Sequence, residues 1–307
     1  MIETVKLSAY LGDWATKKNL AGVSACMLGP DGQRYDWVYG QRDAAGTPVD
    51  PDTMFGIASM SKSITSLCIC ILECEGKLSL EDPVCKYFPD FCVPGQPREA
   101  VTLRHLMMHT AGIPPMEPLE WSIARNSHDR DGEWIRRMRA AAPNDMRTIH
   151  QVMDYIANCP YPTLGMPGEY MSYSNEGYAV LCYVADVAAG EPLEEYVQRR
   201  IFDPLGMRRS VMEDTCSRAR ELAQGNIQWL YEWDENHNLV CDNTWSVMPP
   251  YRGCATVKST ARDMAAYYRC LSNYGMHNGV QVWPRAAVER MVGAEFPLES
   301  ARITVWD

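Results

Sequence analysis

The stretch FGIASMSKSITSLCICILECEG, residues 55–76, constrains this chain more than any other. From residue 59 to residue 75 its apolar residues recur at helical spacing. The pattern stops at Gly76, a residue suited to the position just past a helix C-terminus. The residues before 59 read as an apolar strand, so strand gives way to helix at Ser59, and Lys62 follows three residues on. Positions i and i+3 share a helix face, which sets an amine beside a hydroxyl in the first turn. Burial and the positive end of the helix dipole both disfavour a lysine cation there. A serine hydroxyl is a poor nucleophile near neutral pH and needs a base at its side. Free backbone N–H groups at the same helix start can hold an oxyanion. Ser-x-x-Lys fixes only two positions, however, and an ordinary helix start offers the same letters.

The rest of the chain reads as a mixture of short strands and longer helices. An apolar stripe of Val5, Leu7, Leu11 and Trp14 predicts a helix over 5–18. Val23, Ala25 and Met27 alternate, a Gly29-Pro30-Asp31-Gly32 turn follows, and Tyr35, Trp37 and Tyr39 alternate on the return, which predicts a β-hairpin. Residues 117–160 are charged and helix-favouring, either a solvated helical face or a lid over a site. A second helical stretch covers 176–201, broken at Gly190-Glu191-Pro192. Around 226–245 the aromatics Trp229, Tyr231 and Trp233 alternate ahead of a polar turn at 234–238. They predict a small hairpin that either packs one face or lines a cleft. A Ser/Thr start opens a further helix from residue 259. With 307 residues, the chain suits one large domain or two smaller ones. The order of elements predicts a mixed α/β fold of the α+β type, an antiparallel sheet domain with a large helical insertion. Residues 1–58 and 246–307 form the sheet-containing part, and 59–245 the mainly helical part.

Several function classes are excluded. The formal net charge is -10, from 29 Lys and Arg against 39 Asp and Glu, and no basic run stands out. Nucleic acid is therefore not an expected partner. No apolar run reaches 18 residues, so no membrane span is expected. The N-terminus lacks a basic region followed by a continuous apolar stretch and does not read as a signal peptide. The twelve cysteines are scattered. Several fall in apolar helical patterns (Cys68, Cys70, Cys74), which reads as reduced, packed thiols in a cytoplasmic protein. His105 and His109 stand at i and i+4, a spacing that can chelate zinc on a helix. The glutamate of His-Glu-x-x-His and a third ligand are missing, so a structural role is expected for both. Neither a metal nor an organic cofactor is expected.

A second motif gives the first its meaning. PGEYMSYSNEGYAVL, residues 167–181, holds the only Tyr-x-Asn of the chain, Tyr173-Ser174-Asn175. If the segment is extended, Tyr173 and Asn175 point the same way. A phenol beside a lysine can shuttle a proton, and an Asn side chain can orient the lysine and donate to a substrate carbonyl. The alternative is a turn before the helix at 176, with Asn or Ser as its N-cap.

With FGIASMSKSITS, VTLRHLMMHTAGIP, PGEYMSYSNEGYAVL with IFDPLGM, and RGCATVKSTARDM in this order, the chain resembles the serine β-lactamase and penicillin-binding-protein superfamily, in particular its class C β-lactamase-like esterases and peptidases. The resemblance covers roughly residues 20–292. It implies that Ser59 is the nucleophile that becomes acylated and Lys62 its proton partner. Tyr173 is then the base that protonates the leaving group and activates the deacylating water, and Asn175 positions Lys62 and the substrate. The implied activity is a serine hydrolase acting through an acyl-enzyme on a small-molecule ester, amide or β-lactam. Two alternatives stay open: acyl transfer to an alcohol at the same site, and a crippled homologue that binds a ligand or a partner. The family's third motif, Lys-Thr-Gly or His-x-Gly on a late strand, is not evident. His277-Asn278-Gly279 fits the letters but reads as the turn after the preceding helix. The expectation is a chain short of its C-terminal segment. Its sheet would have an exposed edge and its oxyanion hole would lack one donor.

Overall fold

In the computed structural model, helix Ser61–Cys74 lies at the centre of the molecule, and 11 of its 14 residues are buried. Ile64, Leu67, Cys68, Ile69, Cys70, Ile71 and Leu72 are wholly inaccessible to solvent. From Leu67 to Leu72 every residue is apolar, so this stretch has no face to give to water and is enclosed by other elements. Its neighbours are helix Asn175–Ala189, the short turn of helix Arg252–Ala255 and helix Arg285–Val292. The structure describes residues 4–127, 132–233, 239–242 and 245–293.

The expected elements are present. Helix Thr4–Lys17 precedes the hairpin of strands Gly22–Leu28 and Arg34–Gly40, which pair antiparallel from Gly22 with Gly40 to Leu28 with Arg34. The 117–160 region contains three helices, Pro118–Asn126, Glu133–Ala141 and Ile149–Ala157. Asn175–Ala189 ends at Gly190, and helix Leu193–Val197 follows the break. Strands Leu230–Trp233 and Leu239–Asp242 make the second hairpin. Its predicted polar turn, 234–238, lies outside the described residues. Thr260 caps helix Ala261–Ser272 with its side chain, which accepts from the Asp263 N–H.

A three-stranded antiparallel sheet supports the centre. Its strands are Phe55–Gly56, Val257–Ser259 and Val211–Met212, with Val257–Ser259 in the middle and fully buried. This sheet leads into the central helix within a few residues, because Gly56 is followed by Ile57 and then by the turn Ala58–Met60. The approach is close: a Cβ on Gly56 would lie 2.0 Å from the Trp245 ring, so only glycine fits there.

Two expectations need correction. Cys74 is exposed at the last turn of the central helix and is not packed like Cys68 and Cys70, because the helix end emerges from the core there. The α-helix also begins two residues later than predicted. Ser59 sits on a 3₁₀ turn, Ala58–Met60, which runs into the α-helix at Ser61. His277 pairs with Val280 across an Asn278-Gly279 turn, in a short hairpin of Met276–His277 with Val280–Gln281 just after helix Ala261–Ser272, as the turn reading expected.

Candidate active site

Ala58 adopts φ 47°, a left-handed conformation that is costly for a residue with a Cβ, and Ser59 follows it. This turn breaks the line between strand and helix and leaves Ser59 exposed at the head of the buried helix. Lys62, one turn on, is only 6% exposed, so its stem is in the core and only its amine reaches the site.

Lys62 Nζ donates to three oxygens: Ser59 Oγ at 3.1 Å, Asn175 Oδ1 at 2.9 Å and the Cys254 carbonyl at 3.2 Å. An ammonium has three protons, and each has an acceptor here. Aromatic faces complete its surroundings, with Nζ 4.8 Å from the Tyr173 ring centroid and 5.6 Å from that of Tyr178. On the other side of the serine, Tyr173 OH donates to Ser59 Oγ at 2.7 Å. The hydroxyl of Ser59 therefore touches both a phenol and an amine. The structure brings together all four residues singled out in the sequence.

The structure shows both placements expected for Tyr-x-Asn, a shared direction for Tyr173 and Asn175 and a cap before the helix. Ser174 is extended and caps helix Asn175–Ala189 by accepting from the Gly177 N–H at 3.0 Å. That cap fixes Asn175 at the first helical position and leaves Tyr173 just outside it, so both side chains reach the same amine.

His105 and His109 both hold backbone groups. His105 Nδ1 accepts from the Thr102 N–H at 3.1 Å, part of a capping box that starts helix Leu103–Met107. His109 lies beyond that helix at φ 58° and faces the site. Its carbonyl accepts from the Ser172 N–H at 2.8 Å, and its Nδ1 accepts from the Ser174 N–H at 3.0 Å. Its ring packs on Tyr173, with centroids 4.5 Å apart, and on Tyr178, 5.0 Å apart. The imidazole thus grips the backbone on both sides of Tyr173 and the phenol itself. Burial, aided by the charge of Lys62, lowers its pKa to about 4, so it is neutral near pH 7 and adds no second cation beside the lysine.

Glu176 follows Asn175 and is 3% exposed. It accepts from Tyr251 OH at 3.2 Å and from Ser174 Oγ at 3.3 Å. Burial pushes its carboxyl up to about 7, and the charge of Glu120 acts in the same direction. Sequence reasoning did not single out Glu176, Tyr178 or Cys254. The first two stand inside PGEYMSYSNEGYAVL and the third inside RGCATVKSTARDM, but no letter pattern sets them apart from core residues.

The family model described as Beta-lactamase matches residues 7–297. The chain belongs to the Beta-lactamase family. It is similar to penicillin-binding protein 4* of Bacillus subtilis, at 31% identity over 230 residues, 73% of this chain and 46% of that protein. It is also similar to esterase EstB of Burkholderia gladioli, at 29% identity over 210 residues, 66% of this chain and 50% of the esterase. The chain spans about half the length of these curated relatives. Among solved structures, the octameric penicillin-binding protein homologue from Pyrococcus abyssi superposes with a TM-score of 0.73 at 26% identity, covering 94% of this chain and 59% of that one. A D-stereospecific amidohydrolase from Streptomyces shares the fold with a TM-score of 0.72 at 20% identity, covering 93% of this chain and 76% of that one. No helix among the described residues is long and apolar enough to cross a membrane.

Proposed function

We propose that this Beta-lactamase-family chain is an acyl-serine hydrolase acting on a small ester, amide or β-lactam. The observation that carries the proposal is the double contact of Ser59 Oγ, 2.7 Å from Tyr173 OH and 3.1 Å from Lys62 Nζ. In the proposed cycle the Tyr173–Lys62 pair first gives one proton to solvent, leaving a phenolate beside the ammonium or a phenol beside a neutral amine. Ser59 Oγ then bonds to the substrate carbonyl carbon while its proton passes to that pair. The bond from that carbon to the leaving group then breaks, and the pair returns the proton to the departing oxygen or nitrogen. Water repeats the sequence: its oxygen bonds to the carbon, the Ser59 ester breaks, and Ser59 regains a proton. A pair of linked groups suits this duty because each half-reaction needs a base first and an acid second.

Asn175 turns its carbonyl to Lys62, which leaves its NH₂ for the substrate carbonyl. The N–H of Ser59, on a turn that runs into the central helix, is one donor for the developing oxyanion. Water and an alcohol are alternative acceptors at the same site, and hydrolysis is the simpler outcome at an exposed serine. The similarity to an esterase and to a penicillin-binding protein supports the range of bonds proposed, and the pocket around Ser59 would choose among them. The test is turnover of an aryl ester, a D-amino-acid amide and a β-lactam by the wild type and by Ser59→Ala. We expect turnover of at least one of the three, abolished in the variant. Turnover that survives in Ser59→Ala would refute the assignment.

A further inference from the structure

The carboxamide of Asn175 has two ends of nearly equal size and opposite character. Its role requires the oxygen to face Lys62 and the NH₂ to face the substrate. A protonated Lys62 enforces this, because an ammonium only donates. A lysine that gives up a proton during a cycle acquires a lone pair and can accept from the NH₂ end just as well. Lys62 alone therefore does not hold the amide through a complete turnover.

A second donor is present. Cys254 Sγ donates to Asn175 Oδ1 at 3.1 Å, beside the bond from Lys62 to the same oxygen. Cys254 is wholly buried, and burial pushes its thiol up to about 11 against the opposing charge of Lys62, so the sulfur keeps its proton near neutral pH. The backbone that carries it is tied on several sides. Thr65 Oγ1 donates to the Gly253 carbonyl at 2.7 Å. Arg252 reaches Glu194 at 2.8 Å and Asp186 at 2.5 Å. The Val257 N–H donates to Ser61 Oγ at 3.1 Å. Cys254 is thus fixed to both helices that supply the site, and its own carbonyl receives Lys62 Nζ.

We propose that Cys254 is a positioning residue of the acyl-serine site, its S–H holding the Asn175 oxygen inward while its carbonyl anchors Lys62, so that the Asn175 NH₂ faces the substrate at every stage of the cycle. This rests on the acyl-serine reading above. It assigns the thiol no nucleophilic or redox step.

The test is the rate at which a fluorophosphonate labels Ser59, followed by intact mass. The proteins compared are the wild type, Cys254→Ala, Cys254→Ser, Asn175→Ala and the double variant Asn175→Ala/Cys254→Ala. Losing one hydrogen bond to the amide should slow labelling about tenfold in Cys254→Ala. Cys254→Ser keeps a donor and should recover most of the rate. With Asn175 already removed, Cys254→Ala should cause no further slowing, an effect that a merely structural role would not produce. Cys254→Val fills the same space without a donor and serves the same comparison if the alanine cavity disturbs folding. Wild-type labelling rates in Cys254→Ala and Cys254→Val, or equal slowing with and without Asn175, would overturn the role of Cys254 alone. A wild type that is never labelled at Ser59 would remove the acyl-serine reading, and this inference with it.

Discussion

At the scale of the residue, the proposed function gives the two partners of the serine hydroxyl different duties. Tyr173 is 36% exposed and can meet a leaving group, whereas Lys62 is 6% exposed and is held by three oxygens. Tyr173→Phe should lower kcat for an ester at least a hundredfold with KM little changed, because general acid–base help is lost and the ring still packs. Lys62→Met should cost about a thousandfold, since it removes the amine from serine, asparagine and phenol together. His109 allows a finer experiment. Asparagine tolerates a left-handed φ, and its Oδ1 can take the place of Nδ1 in accepting the Ser174 N–H. His109→Asn should therefore keep a larger share of activity than His109→Ala, whereas ring packing, lost in both, gives no reason for the two to differ. Steady-state kinetics on the two variants, each checked for an unchanged melting temperature, decides this. The clustering of Ser59, Lys62, Tyr173 and Asn175 was legible in the sequence because two short motifs stand among longer stretches that together carry the family resemblance. Cys254 and His109 were not legible as site residues, because their contribution is a contact made across chain separations of 79 and 65 residues.

At the scale of the element, the site stands where a 3₁₀ turn, a helix N-cap and a short helical turn converge on the central helix. Periodicity and caps predicted the hairpins, the central helix and its end near Gly76, because each rests on local chemistry. The start of that helix lies two residues later than expected, since Ala58 adopts a left-handed φ that has no signature in its own sequence. The exposure of Cys74 was missed for a related reason: an apolar period shows that a helix is buried and does not show where it surfaces. Gly253 marks the tightest joint between these elements. A Cβ there would lie 2.7 Å from Thr65 Oγ1 and 3.1 Å from Cys182 Cβ, both on helices that shape the site. Gly253→Ala should lower the unfolding free energy by about 1–3 kcal/mol, as overpacking in a dense core does. It should also slow the labelling of Ser59, because Cys254 is the next residue. Chemical denaturation together with the labelling rate tests both consequences.

At the scale of the molecule, two buried groups make stability depend on pH in opposite senses. Glu176 titrates at about 7 in the folded chain against an ordinary 4.5, so the folded state holds this proton the more tightly. Its contribution is complete below pH 4.5 and is lost as pH rises toward 7. His109 titrates at about 4 in the folded chain against an ordinary 6.5. Its contribution is complete above pH 6.5 and is lost as pH falls toward 4. Between pH 4.5 and 6.5 these two contributions oppose each other, so the wild-type profile alone does not separate them. Glu176→Gln removes one of them. Its stability relative to the wild type should rise by on the order of 3 kcal/mol between pH 4.5 and pH 8, measured by denaturant titration. A constant difference across that range would mean that Glu176 is not held protonated by its surroundings.

The central claim is that Tyr173 and Lys62 together activate Ser59 in this chain, and one measurement addresses it directly. The folded protein is exposed to a fluorophosphonate, its intact mass is recorded, and the modified peptide is sequenced. The account predicts a single adduct on Ser59, absent from Ser59→Ala and formed much more slowly in Lys62→Met and Tyr173→Phe. An unmodified folded chain, or an adduct on any other residue, would contradict it.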